Sequence, residues 1–300
     1  MSTSNQILYG VNLLQSNAQN REDQTPPLEL SLAELETGKA LSKTNVPTQS
    51  VDNPLPVPKE PQAFFVADSD RVTKLIVLGG KTLVTSTVSN TRNGNFNHLV
   101  FTTGSANNPQ FRAKKVLGLE KANQTVESLL SLPNNQLLCL VGTDGIPPFA
   151  FRTLDLTTGQ ILSDDELGLP SLPPNNRFAN LCQDLQGNIF ATETSATTTE
   201  SGVEQVPTLI SMNLQRKSMV TGKVKINRLS SLNFEGRPLL NDVKDLVFSS
   251  SGQLYALATD DRTKNNALFT VDVKTGKMEL VRNLAVERFA FSDALNNLLL

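Results

Sequence analysis

One histidine, two cysteines and a scatter of carboxylates bound the chemistry open to this 300-residue chain. A serine or cysteine nucleophile needs a base within reach, most often an imidazole. The single His98 is followed by Leu99 and Val100 at what reads as a strand start, where a structural role is the simpler reading. Cys139 and Cys182 each fall in an apolar strand-like run and read as small core residues. One histidine and two cysteines do not make a structural zinc site. Gly79-Gly80-Lys81-Thr82 lacks the upstream glycine of a phosphate loop, and no dinucleotide fingerprint is present. What remains is oxygen chemistry. Asn12, Asp144, Glu193, Asp260 and Asp261 lie in or just after strand-like segments. Brought to one mouth, such groups could hold a cation, bind a glycan or, as a carboxylate pair, hydrolyse one. The competing reading is local: Asp and Asn favour turns because their side chains bond nearby backbone amides. No tryptophan and two tyrosines leave few stacking surfaces for sugars. Ile146, in the unusual stretch Gly145–Arg152 (GIPPFAFR), could instead form an apolar contact with a protein, while Phe151 reads as core. No catalytic residue, metal or cofactor is assigned.

Composition closes further routes. A net charge of -2 and 38% hydrophobic residues exclude a disordered chain. No apolar run approaches the ~20 residues of a membrane span. The isoelectric point near 5.6 and the lack of a basic block argue against nucleic acid as a partner. The first residues carry no basic segment ahead of a long apolar run, so a cytoplasmic location is expected.

The positioning elements come from a repeat. Thr153–Ile161 (TLDLTTGQI), Thr270–Met278 (TVDVKTGKM) and Leu32–Ala40 (LAELETGKA) share one template, with looser copies at Phe101–Gly104 and Val220–Val224. Their glycines, Gly38, Gly104, Gly159, Gly222 and Gly276, stand 54 to 66 residues apart. A second series of strand–turn–strand segments centres on Gly79, Asn134, Gly187, Gly252 and Asn296 and alternates strictly with the first. One unit is therefore strand A, tight turn, strand B, longer loop, strand C, Thr-Gly turn and strand D. Four antiparallel strands per unit suit a propeller blade, although familiar repeats are nearer ~40–50 residues.

Leu254–Asp260 (LYALATD) followed by Leu268–Lys277 (LFTVDVKTGK) resembles strand pairs of YVTN-type propellers, and the whole pattern resembles the wider WD-repeat and kelch group. The Gly-His and Trp-Asp dipeptides of WD repeats are absent, so the resemblance implies a fold and no activity. The expected architecture is all-β: one propeller over residues 1–300, most simply five four-stranded blades. Six blades and a pair of β-sandwiches are the alternatives. The chain starts with a B-like strand, Ile7 to Leu14, and ends with an A-like strand, Arg288 to Ser292, so the two termini should share a blade. Residues 45–66, with five prolines between Asn45 and Pro61, read as the connection from the first blade to the second. B–C and D–A segments emerge on one face and look long: 15–27, 90–97, 142–148, 194–207 and 259–266 between B and C, and 45–66 and 163–177 between blades. The functional expectation is a non-enzymatic scaffold offering these loops to a protein partner. The alternative is small-molecule or glycan binding, with or without hydrolysis, by acidic residues at the channel mouth.

Overall fold

The computed structural model describes residues 6–14, 25–47, 49, 51–52, 70–80, 82–91, 94–105, 108–132, 135–199, 202–217, 223–260 and 262–293. Five four-stranded antiparallel sheets follow one another along these residues, each in the order A-B-C-D. Blade 2 comprises Arg71–Leu78, Thr82–Thr91, Gly94–Ser105 and Asn108–Lys115; blade 3 comprises Gln124–Leu132, Gln136–Thr143, Ile146–Asp155 and Ile161–Gly168. Blade 4 is Asn176–Gln183, Ile189–Thr199, Gly202–Lys217 and Val224–Ser231; blade 5 is Val243–Phe248, Leu254–Thr259, Asn266–Val271 and Lys277–Asn283. Blade 1 takes B, C and D from the N-terminal region (Gln6–Leu13, Leu28–Glu34, Ala40–Val46) and A from Arg288–Asp293. Its closing ladder runs from Gln6 opposite Asp293 to Val11 opposite Arg288. The five-bladed ring and its shared first blade are thus as the sequence predicts.

Both faces of each sheet are covered by neighbours. Successive strand residues point to opposite faces, so one strand must supply two cores. In blade 3, Leu137, Cys139 and Val141 pack with Val84 and Leu99 of blade 2, while Leu138 and Leu140 pack with Phe178 and Ile189 of blade 4. In blade 1, Ile7, Tyr9 and Val11 join blade 2, and Leu8 joins Leu257 and Leu268 of blade 5. This two-sided burial is why strand B of blade 3, Gln136–Thr143 (QLLCLVGT), reads as a nearly continuous apolar run. Cys139 and Cys182 are fully enclosed thiols, and burial holds both far above the ordinary thiol range.

The Thr-Gly turns are built by their leading acid. Asp155 Oδ1 accepts the amides of Thr157 and Thr158 at 2.7 and 2.9 Å, and Asp272 Oδ1 accepts those of Lys274 and Thr275 at 2.8 and 2.9 Å. Gly159 (φ +75°) and Gly276 (φ +68°) then donate back to Asp155 and Asp272 carbonyls. Glycine is required twice over: a Cβ on Gly276 would lie 2.4 Å from the Ser231 carbonyl of blade 4, and one on Gly159 2.6 Å from that of Lys115 of blade 2. Sheet twist therefore seats the C–D corner of one blade against the outer strand of the blade before it.

The segment leaving each of three D strands runs parallel along the outer strand of the next blade: Val51–Asp52 beside Ala113–Lys114, Leu117 beside Gln160, and Asn233–Phe234 beside Lys277–Met278. These short straps cover edges that would otherwise expose unpaired backbone groups.

Strand A lines the axis, and its charges meet there. Lys74 Nζ of blade 2 donates to Asp245 Oδ1 of blade 5 at 2.5 Å and to the Leu246 carbonyl at 2.9 Å. Asp245 also accepts the amides of Leu246 (2.9 Å) and of Phe289 in blade 1 (3.2 Å). Both charged side chains are buried, at 3% and 0% exposure. Removing one partner of a buried pair strands the other, at a cost of about 3–5 kcal/mol. Lys74→Met should therefore lower unfolding free energy by about that much, and adding Asp245→Asn should restore most of it. Urea denaturation of the two variants checks this; a single Lys74→Met variant within about 1 kcal/mol of the parent would contradict it.

Candidate functional site

Charged residues gather near the starts of the A strands (Arg71, Glu127, Arg177, Arg288) and most of the apolar ones lie further along, so the two mouths of the ring differ. The starts lie on the face that also gathers the B–C turns and the D–A segments. Asn12 Nδ2 donates to the Ala285 carbonyl, Gln205 N to that of Leu240, and Asn266 Nδ2 to that of Val286. On this face, charges pair across blade boundaries. Arg71 of blade 2 meets Glu127 of blade 3 at 2.7 Å. Arg177 of blade 4 meets Asp242 at the entry to blade 5, and Thr194 Oγ1 donates to Asp242 at 3.1 Å. Arg288 Nε of blade 1 donates to the Thr73 carbonyl of blade 2 at 3.0 Å. Burial holds the Arg288 guanidinium below the ordinary arginine range, with Asp245, Asp242 and Glu287 opposing the shift. Opposite charges compensate one another around the mouth.

Of the loops expected on this face, 15–27 and 45–66 lie largely outside the described residues, and 90–97, 142–148 and 194–207 are shorter than the sequence suggested. Residues 142–148 form a hairpin in which only Asp144 and Gly145 separate the strands, both with positive φ (52° and 75°). Residues 194–199 and 202–207 continue strands B and C of blade 4, with Thr194 opposite Pro207 and Thr199 opposite Gly202. Likewise Thr91 pairs with Gly94 in blade 2. Threonine-rich, β-branched segments read as polar loops, yet they fit a pleated ladder well.

The proposed ring of acids does not assemble as one group. Asn12 is half-buried at the end of strand B, clamped to the Ala285 carbonyl. Glu193 is buried in strand B of blade 4 and accepts Arg228 Nη2 at 3.0 Å from the outer strand. Asp260 is buried and turned onto its own loop. It accepts the Arg262 amide at 3.1 Å and the Thr263 hydroxyl at 3.2 Å. These bonds hold its carboxyl below the ordinary range, the Arg262 amide contributing most. Asp261 lies outside the described residues. Among the described residues, no cluster of three or more His, Cys, Asp or Glu is arranged to hold a metal ion. His98 is buried in strand C of blade 2, and Phe151 is core as expected.

Asp144 and Ile146 do come together. They border a cavity of about 260 Å³ between blades 3 and 4, with Asn175, Arg177, Thr194 and Gln205 on its other walls. Asn176 Nδ2 donates to Ser195 Oγ at 3.1 Å, and Ala196 N to the Asn175 carbonyl at 3.1 Å, tying the entry of blade 4 to its B–C hairpin. Ile146 is 53% exposed at the rim. Asp144 accepts Asn95 Nδ2 from blade 2, and burial is the main force raising its carboxyl above the ordinary value. The A-strand charges Arg71, Glu127, Arg177 and Asp242 were missed from sequence, because the partners in these pairs lie 56 and 65 residues apart. The available signal was a repeated switch from charged to apolar along strand A, as in Arg71–Leu78 (RVTKLIVL) and Val243–Phe248 (VKDLVF).

No protein-family model matches the chain, and no curated protein matches it. Solved structures do. A protein from Lactobacillus plantarum is 9% identical with a TM-score of 0.38, over 96% of this chain and 99% of its own. A luciferin-regenerating enzyme is 11% identical with a TM-score of 0.39, over 92% and 78%. The Dos1 propeller is 9% identical with a TM-score of 0.35, over 86% and 65%. Likenesses this distant carry no argument about activity, and the ring rests on this chain's own strand pairing. Among the described residues, no helix is long and apolar enough to cross a membrane.

The raised Asp144 carboxyl gives a signed expectation. A carboxyl whose folded pKa lies above its unfolded value binds protons more readily when folded, so its contribution to stability falls as pH rises through that interval. An asparagine in its place would tolerate the positive φ and still accept from Asn95. The stability of Asp144→Asn relative to the parent should therefore rise as pH increases from 3.8 through the raised pKa. Thermal unfolding of both proteins across that range checks it, and a relative stability that falls instead would contradict it.

Proposed function

We propose that this chain is a non-enzymatic propeller that binds a protein partner on its loop face, across the cleft between blades 3 and 4. The observation that carries the reading is the placement of Ile146. It is a large apolar side chain left in water beside a concave site with polar groups from two blades. A second exposed apolar residue, Leu240 at 40%, adjoins the far wall, because its carbonyl accepts the amide of Gln205. An apolar anchor beside a small number of polar groups is the anatomy of a protein contact. The compensated charges of the mouth fit a binding surface better than an acid–base pair, since Glu127, Asp242, Glu193 and Asp260 are each committed to a partner.

A small-molecule reading rests on the same cleft, whose 260 Å³ and polar walls suit a ligand of monosaccharide size. It assigns the binding role to Asp144 rather than to Ile146. The two are separated by variants. A photo-crosslinking residue at position 146 should capture a specific protein, and Ile146→Asp should weaken binding of that protein at least tenfold. Leu185→Asp, in the exposed A–B turn of blade 4 on the opposite face, should leave it unchanged. Equal capture from positions 146 and 185, or binding indifferent to Ile146→Asp, would overturn the protein-partner reading. Loss of a small ligand in Asp144→Ala but not in Ile146→Asp would favour the alternative.

A further inference from the structure

At the opposite mouth the axis opens into an apolar funnel of about 220 Å³ to which all five A strands contribute. Leu75, Ile76, Val77, Leu130, Val247 and Phe291 are among its apolar wall residues, and Ser131 and Gln183 add uncharged polar groups to the lining. Two of its rings are fixed by edge-on or tilted contacts. Phe291 packs on Tyr255 and Phe289 at centroid distances of 4.9 and 5.3 Å, and Phe248 packs on Phe190 at 5.3 Å. Such contacts add to area burial and hold the rings in place. The concavity is therefore built by packing between blades and does not need a guest to form.

Its floor decides the chemistry of an occupant. Among the described residues, Lys74 is the one cation on the funnel lining, and its ammonium is spent on Asp245 Oδ1 and the Leu246 carbonyl. Cys182 on the wall stays a neutral thiol, pushed up to about 12 by burial. A charged guest would leave water without a free counter-charge, which costs several kcal/mol. An uncharged apolar guest loses nothing comparable and gains from surface removed from water. A dry apolar cavity of about 150 Å³ holds a benzene-sized molecule, so a space somewhat larger suits one substituted ring or a short aliphatic chain.

We propose that this funnel is a binding site for a small uncharged apolar molecule, of single-ring or short-chain size. The site lies on the face away from the partner cleft and stands independently of it. Binding of 4-fluorotoluene, followed by fluorine NMR on the full chain, is the test. The parent should bind it saturably. Val247→Trp, which fills the funnel from the blade 5 wall, should weaken binding at least tenfold, and 4-fluorobenzoate should bind the parent at least tenfold more weakly. Ile76→Trp, from the blade 2 wall, repeats the block should the first variant fold poorly, and an unchanged melting temperature certifies either one. Three results would overturn the proposal: no saturable binding by the parent, equal binding by a folded Trp variant, or equal affinity for the benzoate. Displacement of the probe by concentration-dependent dimerisation would also overturn it, in favour of a second copy as occupant.

Discussion

A carboxylate withdrawn from water must find donors wherever the chain can bring them, and Asp245 finds them in three blades. Its own blade 5 supplies the Leu246 amide, blade 1 the Phe289 amide and blade 2 the Lys74 ammonium. Blade 1 can supply Phe289 only because the C-terminal strand has entered the N-terminal sheet. The pair thus couples ring closure to electrostatic satisfaction: an open ring would leave a buried anion short of donors. A buried pair adds little stability over apolar residues of similar shape, yet breaking it is costly. Its effect is to specify which strands meet at the axis.

The same contact divides the axis. Toward the loop face the A strands carry Arg71, Glu127, Arg177 and Arg288, tied across blade boundaries. Toward the A–B turns they carry Leu75, Leu130, Leu181 and Phe291. The A strands together present a charged mouth and a largely apolar mouth, because their charged residues gather near their starts. The two mouths thus differ in chemical character, with the blades themselves serving as a rigid frame packed on both faces.

How much of this the sequence discloses depends on range. The Thr-Gly corners are legible because everything that makes them lies within five residues: an acid accepting two amides, then a glycine at positive φ. Blade number and closure follow from counting those corners against the A–B turns. Loop length on the loop face was misjudged at 142–148 and 194–207. Gly145, the prolines and the threonine run look irregular, while the ladder that orders them is set by partners on the next strand. The A-strand charges stay hidden for the same reason at greater distance, since Lys74 and Asp245 are 171 residues apart. Among the singled-out polar residues, Asp260 illustrates the local rule: its carboxylate bonds to the loop that follows it. Asp144 and Ile146 reach a shared cleft because the hairpin between them is only two residues long.

Native-state hydrogen exchange at Phe289 and Leu246 tests the central claim, that the Asp245 carboxylate locks the closed ring. If it does, both amides exchange only through global unfolding, with the same free energy as the core amide of Leu138 in blade 3. Exchange at Phe289 orders of magnitude faster than at Leu138, through opening of the last strand alone, would contradict the account.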